Sequence, residues 1–155
     1  MTALDRPAAE ATDHAEIVSL VHAWAHHADR REPRPQAELF VPDGVVLVFP
    51  GDPDTHEPVQ TIQGHDALAD SFLVLNQYDV TSHVTAQSAI RLDGDRATGE
   101  TYCVAYHVFT QDGERTLLTM SIRYLDTFAR TADGWRFAER RLVMDWIDQR
   151  PSRAA

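Results

Sequence analysis

The sequence predicts an α+β fold: N-terminal helices packed against a cone-shaped, strongly curved antiparallel sheet. Three observations predict it. Apolar residues recur at helical spacing as far as Ala28, and Pro33 and Pro35 then interrupt the pattern. The chain beyond Asn76 is a succession of long runs rich in Val, Ile, Leu, Thr, Tyr and Phe. Those runs are separated by Asp93-Gly94, Asp112-Gly113 and Asp133-Gly134, the turn chemistry of hairpins. Helices first and hairpins after is the order of a layered α+β domain.

Each element follows from local chemistry. Residues 1–12 show no hydrophobic period and read as a loose tail. Asp13 reads as a helix cap with Glu16 three residues on, and Ile17, Leu20, Val21, Trp24 and Ala28 then share one face of a first helix. A short second helix from Gln36 to Phe40 ends at Pro42-Asp43-Gly44. Val45–Phe49 is a short strand, 50–58 a proline-rich loop, and Val59–Ile62 a second short strand. Gly64 breaks that strand, and His65–Asn76 is a third helix with Leu68, Phe72 and Leu75 on one side. Four long strands follow at Thr81–Leu92, Ala97–Thr110, Thr116–Arg130 and Trp135–Trp146, joined as a meander. Residues 13–147 form one domain under this reading, and 148–155 a second loose tail. A sheet rolled this far leaves a hollow between itself and the helices, a usual place for a small molecule.

Bulk composition narrows the partners. Of 155 residues, 43% are hydrophobic and 25% charged, and the formal net charge is −10, with Arg as the only basic residue besides His. Phosphate neutralisation needs clustered cations, so nucleic acid and anionic membranes are disfavoured. One cysteine, Cys103, excludes an internal disulfide and reads as a small buried apolar residue. The first residues lack the basic start and apolar core of a secretory leader, and no apolar run is long enough to span a bilayer. The expected location is cytoplasmic.

Eight histidines are a high count for this length. His14, His56 and His65 fall at helix ends or in a loop and read as surface residues. His22 and His26 share a helix face at metal-ligand spacing, but Ala23 stands where the zinc-protease helix carries Glu, so no metal is expected. Asp29 sits near the C-terminus of the first helix, where a negative charge opposes the macrodipole unless it has another task. His83 opens the first long strand. His107 lies late in the next, on a face shared with Cys103, Ala105 and Phe109. An antiparallel pair turning at Asp93-Gly94-Asp95 places position 83 against the 105–107 region, so the two imidazoles are neighbours. Pattern alone leaves two readings of Asp29, His83 and His107: a buried structural group, or a base held by a carboxylate with a second imidazole beside it. A His–carboxylate pair fixes one tautomer and stabilises the imidazolium, which makes a competent general base near neutral pH. No nucleophile elbow, phosphate loop or dinucleotide fingerprint is present.

Val21-His22-Ala23-Trp24-Ala25-His26-His27-Ala28-Asp29, Leu39-Phe40 before Asp43-Gly44, Gly64, His83 and Asp133-Gly134-Trp135-Arg136-Phe137 stand in an order that resembles the SnoaL-like branch of the nuclear transport factor 2-like (NTF2-like) superfamily. The resemblance spans roughly residues 13 to 147 and implies the superfamily's α+β barrel. Within it the pattern is most similar to scytalone dehydratase, hexachlorocyclohexane dehydrochlorinase and the bile acid dehydratases. The resemblance implies an Asp–His dyad in a cone-shaped pocket, with no metal and no cofactor. Asp29 and His83 match the dyad, and His107 matches a second histidine through its distance from Gly99. Ala28 and Trp24 depart from tyrosines of those enzymes, which argues against scytalone itself as substrate; Tyr102, Tyr106 and Tyr124 are the candidate replacements.

The expected function is a cofactor-independent lyase, dehydratase-like, acting on a hydrophobic cyclic small molecule. His83 is the base, Asp29 its orienting partner, and His107 an acid or hydrogen-bond donor. Trp24, Phe49, Phe72, Tyr124 and Met144 are the candidate pocket lining. An isomerase or polyketide cyclase would use the same base. The rival from another class is a non-catalytic module that binds a small molecule or another subunit. By resemblance the sheet faces pair, so a homo-oligomer, dimer or trimer, is the expected partner.

Overall fold

The computed structural model describes residues 5–153. Its elements run α1 (Asp5–Arg30), α2 (Pro33–Ala37), β1 (Phe40–Phe49), β2 (Gln60–Gln63), α3 (His65–Phe72), a 3-10 turn (Leu73–Gln77), β3 (Val80–Asp93), β4 (Arg96–Gln111), β5 (Glu114–Thr131) and β6 (Gly134–Pro151). The six strands form one mixed sheet in the order β2-β1-β6-β5-β4-β3. The α+β layering of helices on a curved sheet is as predicted. One contact is parallel, β1 against β6, because β1 enters the sheet from the helical layer rather than through a hairpin.

Helix α1 begins at Asp5, well before the expected cap at Asp13. The segment 7–12 is exposed on all sides, so it carries no apolar period. Its alanines favour helix all the same, and Pro7 is tolerated in a first turn. Asp13 therefore lies inside the helix. Its carboxylate accepts hydrogen bonds from Arg130 (2.7 and 2.6 Å) and from the Trp135 indole (3.1 Å), tying α1 to the β5–β6 turn. The predicted inner face is buried: Ile17, Leu20, Val21, Trp24 and Ala28 pack toward Phe40, Leu68, Tyr124, Phe128 and Phe137. The C-terminal tail is also shorter than expected. Strand β6 continues to Pro151, and residues 148–151 pair with 116–119 of β5.

Three other boundaries moved for identifiable reasons. Pro33 and Pro35 sit in the first turn of α2, where a missing N–H costs nothing, so they start that helix as well as end α1. Phe40 is already a strand residue, paired with Phe137, and an irregularity at 41–44 precedes Val45. Gly44 is required there, since a Cβ would lie 2.8 Å from the Phe40 Cβ. Helix α3 stops at Phe72 and tightens into the 3-10 turn, which meets the unpaired carbonyls at its end.

Curvature comes from bulges. Register shifts occur between Thr85 and Ser88 on β3, and on β6 between Phe137 and Glu139 and between Met144 and Trp146. Each adds a residue to one strand, bends it and strengthens its twist. The bent sheet wraps its inner face around α1 and α3, and the gap left between them holds the site.

Candidate active site

Helix α1 ends in a hydrogen-bonded C-cap. The Arg31 N–H donates to the Ala28 carbonyl (3.2 Å) and the Glu32 N–H to the His27 carbonyl (3.0 Å), with Arg31 in the left-handed region at φ 59°. This cap sets the direction of Asp29 toward the start of β3. The carboxylate takes three donors from that strand. His83 Nδ1 lies 2.7 Å from Oδ1, the His83 backbone N–H 2.9 Å from Oδ2, and the Thr81 hydroxyl 2.9 Å from Oδ1. Burial works against the charge on Asp29, yet these bonds and the His83 ring together hold its carboxyl below the usual value. The charge that opposes the macrodipole thus finds its partners on the sheet.

An ionised Asp29 accepts the Nδ1–H of His83 and so fixes the neutral ring in one tautomer, leaving a lone pair on Nε2. No hydrogen bond among the described residues engages Nε2. His83 lines a cavity of about 200 Å³ whose walls are mostly apolar: Val46, Val48 and Ile62 from β1 and β2, Phe72 and Leu75 from the α3 side, and Met120 and Ile122 from β5. Wider grooves elsewhere, such as one of about 520 Å³ beside Arg91, Glu100 and Arg141 on the outer sheet, are more open to solvent.

His107 borders the same cavity. Thr81 is its cross-strand partner and Ala105 that of His83, so the two imidazoles are diagonal neighbours with centroids 5.3 Å apart. Tyr78 covers the other side of the His107 ring at 4.3 Å. The side chain is buried at 3% exposure, and neither ring nitrogen has a partner among the described residues. Burial first, then the electrostatic influence of the neighbouring His83 and Arg31, lower its pKa to about 4, with Asp29 opposing. His107 is therefore neutral at pH 7, with one N–H to donate and one lone pair to offer.

Trp24, Phe72, Tyr124 and Met144 line the cavity as expected. Phe49 does not. Val46 and Val48 face inward, and strand alternation turns Phe49 to the opposite side, where it is buried. Of the tyrosines weighed as replacements, Tyr124 is in the cavity wall, while Tyr102 and Tyr106 are exposed on the outer sheet. The remaining histidines stay out of the site. His27 binds Glu32 at 2.7 Å, His65 ties the start of α3 to the Phe40 carbonyl at 3.0 Å, and His14, His22 and His26 are exposed.

Sequence reasoning missed two groups. Thr81 and Arg31 support Asp29, with Arg31 Nη1 2.6 Å from the Thr81 hydroxyl oxygen. Arg140 and Asp126 form a fully buried bidentate pair at 2.8 and 2.7 Å. The guanidinium is stacked on Tyr124, Phe137 and Trp24 at 4.1, 4.2 and 4.5 Å. The alternation Tyr124, Asp126, Phe128 was a usable signal for an inward carboxylate. Arg140 had none, because the bulge beside Phe137 puts it, and not Glu139, on the inner face.

A model of the SnoaL-like domain family matches residues 9–141. The Mycobacterium tuberculosis protein Rv2910c is 28% identical over 134 residues, 85% of each chain. Solved structures share the fold, among them two with enzyme names. One, from Novosphingobium aromaticivorans DSM 12444 and provisionally assigned as a scytalone dehydratase, superposes with a TM-score of 0.73 at 22% identity, covering 94% of this chain and 93% of that one. The other, the LinA-type3 hexachlorocyclohexane dehydrochlorinase of Novosphingobium barchaimii LL02, gives 0.74 at 16% identity, covering 99% and 97%.

Proposed function

The chain belongs to the SnoaL-like domain family, and from that premise we propose that it is a cofactor-independent lyase of the dehydratase type, acting on a hydrophobic cyclic small molecule. The observation that carries this reading is the 2.7 Å Asp29–His83 bond at the wall of an apolar cavity, with the second imidazole nitrogen unengaged. The dehydratase and dehydrochlorinase names borne by proteins of the same fold support the reaction class.

In the proposed step, His83 Nε2 takes a proton from a ring carbon. The C–H electron pair becomes the new C=C bond and the neighbouring C–O bond breaks. The imidazolium returns its proton to the departing hydroxide, which leaves as water, and His83 ends neutral. Asp29 stabilises the intervening cation and holds the ring. His107, neutral at pH 7, serves as a hydrogen-bond donor to a substrate oxygen rather than as an acid. Trp24, Phe72, Tyr124 and Met144 supply the apolar contacts. An isomerase or cyclase shares the first half of this step and differs in where the proton returns.

A filled cone, or an imidazole with both nitrogens satisfied by protein, would favour the non-catalytic binding or association module. The 200 Å³ cavity and the unengaged Nε2 favour the lyase. The outer face of the sheet exposes Val84, Tyr102, Tyr106 and Trp146, and it is the proposed surface for self-association into a dimer or trimer. Among the described residues no helix is long and apolar enough to cross a membrane.

The test is a screen of hydroxylated and halogenated cyclic compounds for loss of water or halide, run with wild type and His83→Ala. Turnover by wild type and its abolition in a folded His83→Ala protein is the expected outcome. Equal turnover by the two rejects His83 as the base.

A further inference from the structure

The C-cap of α1 places a residue in the left-handed region at φ 59°, a position that Gly occupies by preference because it has no Cβ to clash. Here the residue is Arg31. A strained backbone persists where something else holds it, and an observed outlier is a reason to look at what its side chain does. The Arg31 guanidinium donates to the Thr81 hydroxyl (2.6 Å) and to the Ala28 carbonyl (2.9 Å), and Nη2 reaches the Tyr78 carbonyl (3.4 Å).

The contact with Thr81 has a directional consequence. A guanidinium has donors and no acceptor, so the Thr81 oxygen must accept from Arg31. Its single proton is then committed to Asp29 Oδ1, 2.9 Å away. With the Thr81 rotor fixed, Asp29 holds the orientation that receives both the ring and the backbone of His83. The same side chain anchors Tyr78, whose ring covers His107. One residue therefore touches the supports of both imidazoles and neither imidazole itself.

We propose that Arg31 is a positioning residue for the Asp29–His83 pair, acting through the Thr81 hydroxyl, and that this role retains an arginine where the backbone favours glycine. The inference rests on the reading of Asp29 and His83 as a base pair, but its test is separate from catalysis. The Nδ1 proton of His83, in a 2.7 Å bond to a carboxylate, gives a far-downfield proton resonance that 15N-histidine labelling assigns. In Arg31→Gly, relief of the left-handed strain offsets the lost side-chain bonds, so the unfolding midpoint stays near that of wild type. The downfield resonance nevertheless moves upfield, and its exchange with water quickens by about tenfold, the effect of loosening one charge-assisted hydrogen bond.

Thr81→Val reproduces the shift and Thr81→Ser, which keeps the hydroxyl, restores the wild-type resonance. These two variants decide the matter if Arg31→Gly does not fold. An unchanged resonance in Arg31→Gly or in Thr81→Val overturns the proposal, as does a Thr81→Ser protein that behaves like Thr81→Val. Retained turnover in His83→Ala would reject the lyase reading and leave this result standing.

Discussion

At the scale of single residues, the proposed chemistry depends on which nitrogen of His83 carries a proton, and the Asp29 bond to Nδ1 bears on that. Asn in place of Asp29 matches its size and presents an amide that donates to Nδ1. The ring then protonates at Nε2, so the cavity-facing nitrogen loses its lone pair. Asp29→Asn is expected to lower turnover by roughly 10³- to 10⁴-fold, as loss of the orienting carboxylate does in His-based sites, while ligand binding is retained. Steady-state kinetics with a binding titration checks this. His107 makes a different prediction, in stability. Its folded pKa is about 4 against 6.5 for the ordinary value. Between those values the unfolded chain holds more protons, so the His107 contribution to stability rises with pH from about 4 to 6.5 and is lost as pH falls through that window. The full change is roughly 3 kcal/mol. Asp29, with a lowered pKa, contributes stability that is lost only below its ordinary 3.8, outside this range. Urea unfolding at stepped pH should show a slope across the window that flattens in His107→Phe. Asp29, His83 and His107 were legible because each is polar at a position whose neighbours are apolar or whose helix end disfavours it. The link from Arg31 through Thr81 was not, since a threonine in a strand is unremarkable until the register is known.

At the scale of elements, the long strands, α1's inner face and the Asp-Gly turns could be read directly, because each is a local pattern. The features that bend the sheet are not local. A bulge is defined by the partner strand, and the one that turns Arg140 inward changes which residues meet the core. Phe49 shows the same limit: its aromatic character suggested a cavity wall, but only the alternation of β1 against the sheet fixes the side it faces. The exposed start of α1 escaped for the opposite reason, since a helix with no buried face leaves no period to find. The buried Arg140–Asp126 pair follows from the bulge and supports a prediction. Burial raises the Asp126 carboxyl, and Arg140 opposes that rise. Arg140→Met strands a carboxylate in an apolar aromatic core and is expected to cost about 3–5 kcal/mol. Replacing both, Arg140→Met with Asp126→Leu, removes the stranded charge and should recover most of that loss. A double-mutant cycle by denaturant unfolding measures it, and single and double variants of equal stability would contradict the account.

At the scale of the whole molecule, the two faces of the sheet differ in what they present. The inner face builds a cavity of about 200 Å³, below the ~300–1,000 Å³ range typical of ligand pockets, which favours compact ring compounds over extended polycyclic ones. The outer face presents Val84, Tyr102, Tyr106 and Trp146, with Trp146 53% exposed. This apolar row is the surface proposed for self-association. Sedimentation velocity should find the wild-type chain as a dimer or trimer and Trp146→Asp as a monomer; a wild-type monomer at all concentrations would remove the oligomer from the account. In the proposed reaction His83, held by Asp29, takes a proton from carbon inside the cavity. The most direct measurement is proton–deuterium exchange at the acidic carbon of a bound cyclic ketone in D₂O, followed by NMR with wild type and His83→Ala. Enzyme-dependent deuterium uptake is expected with wild type, and none above background with the variant. Bound ketone with no uptake by wild type, or equal uptake by both proteins, would contradict it.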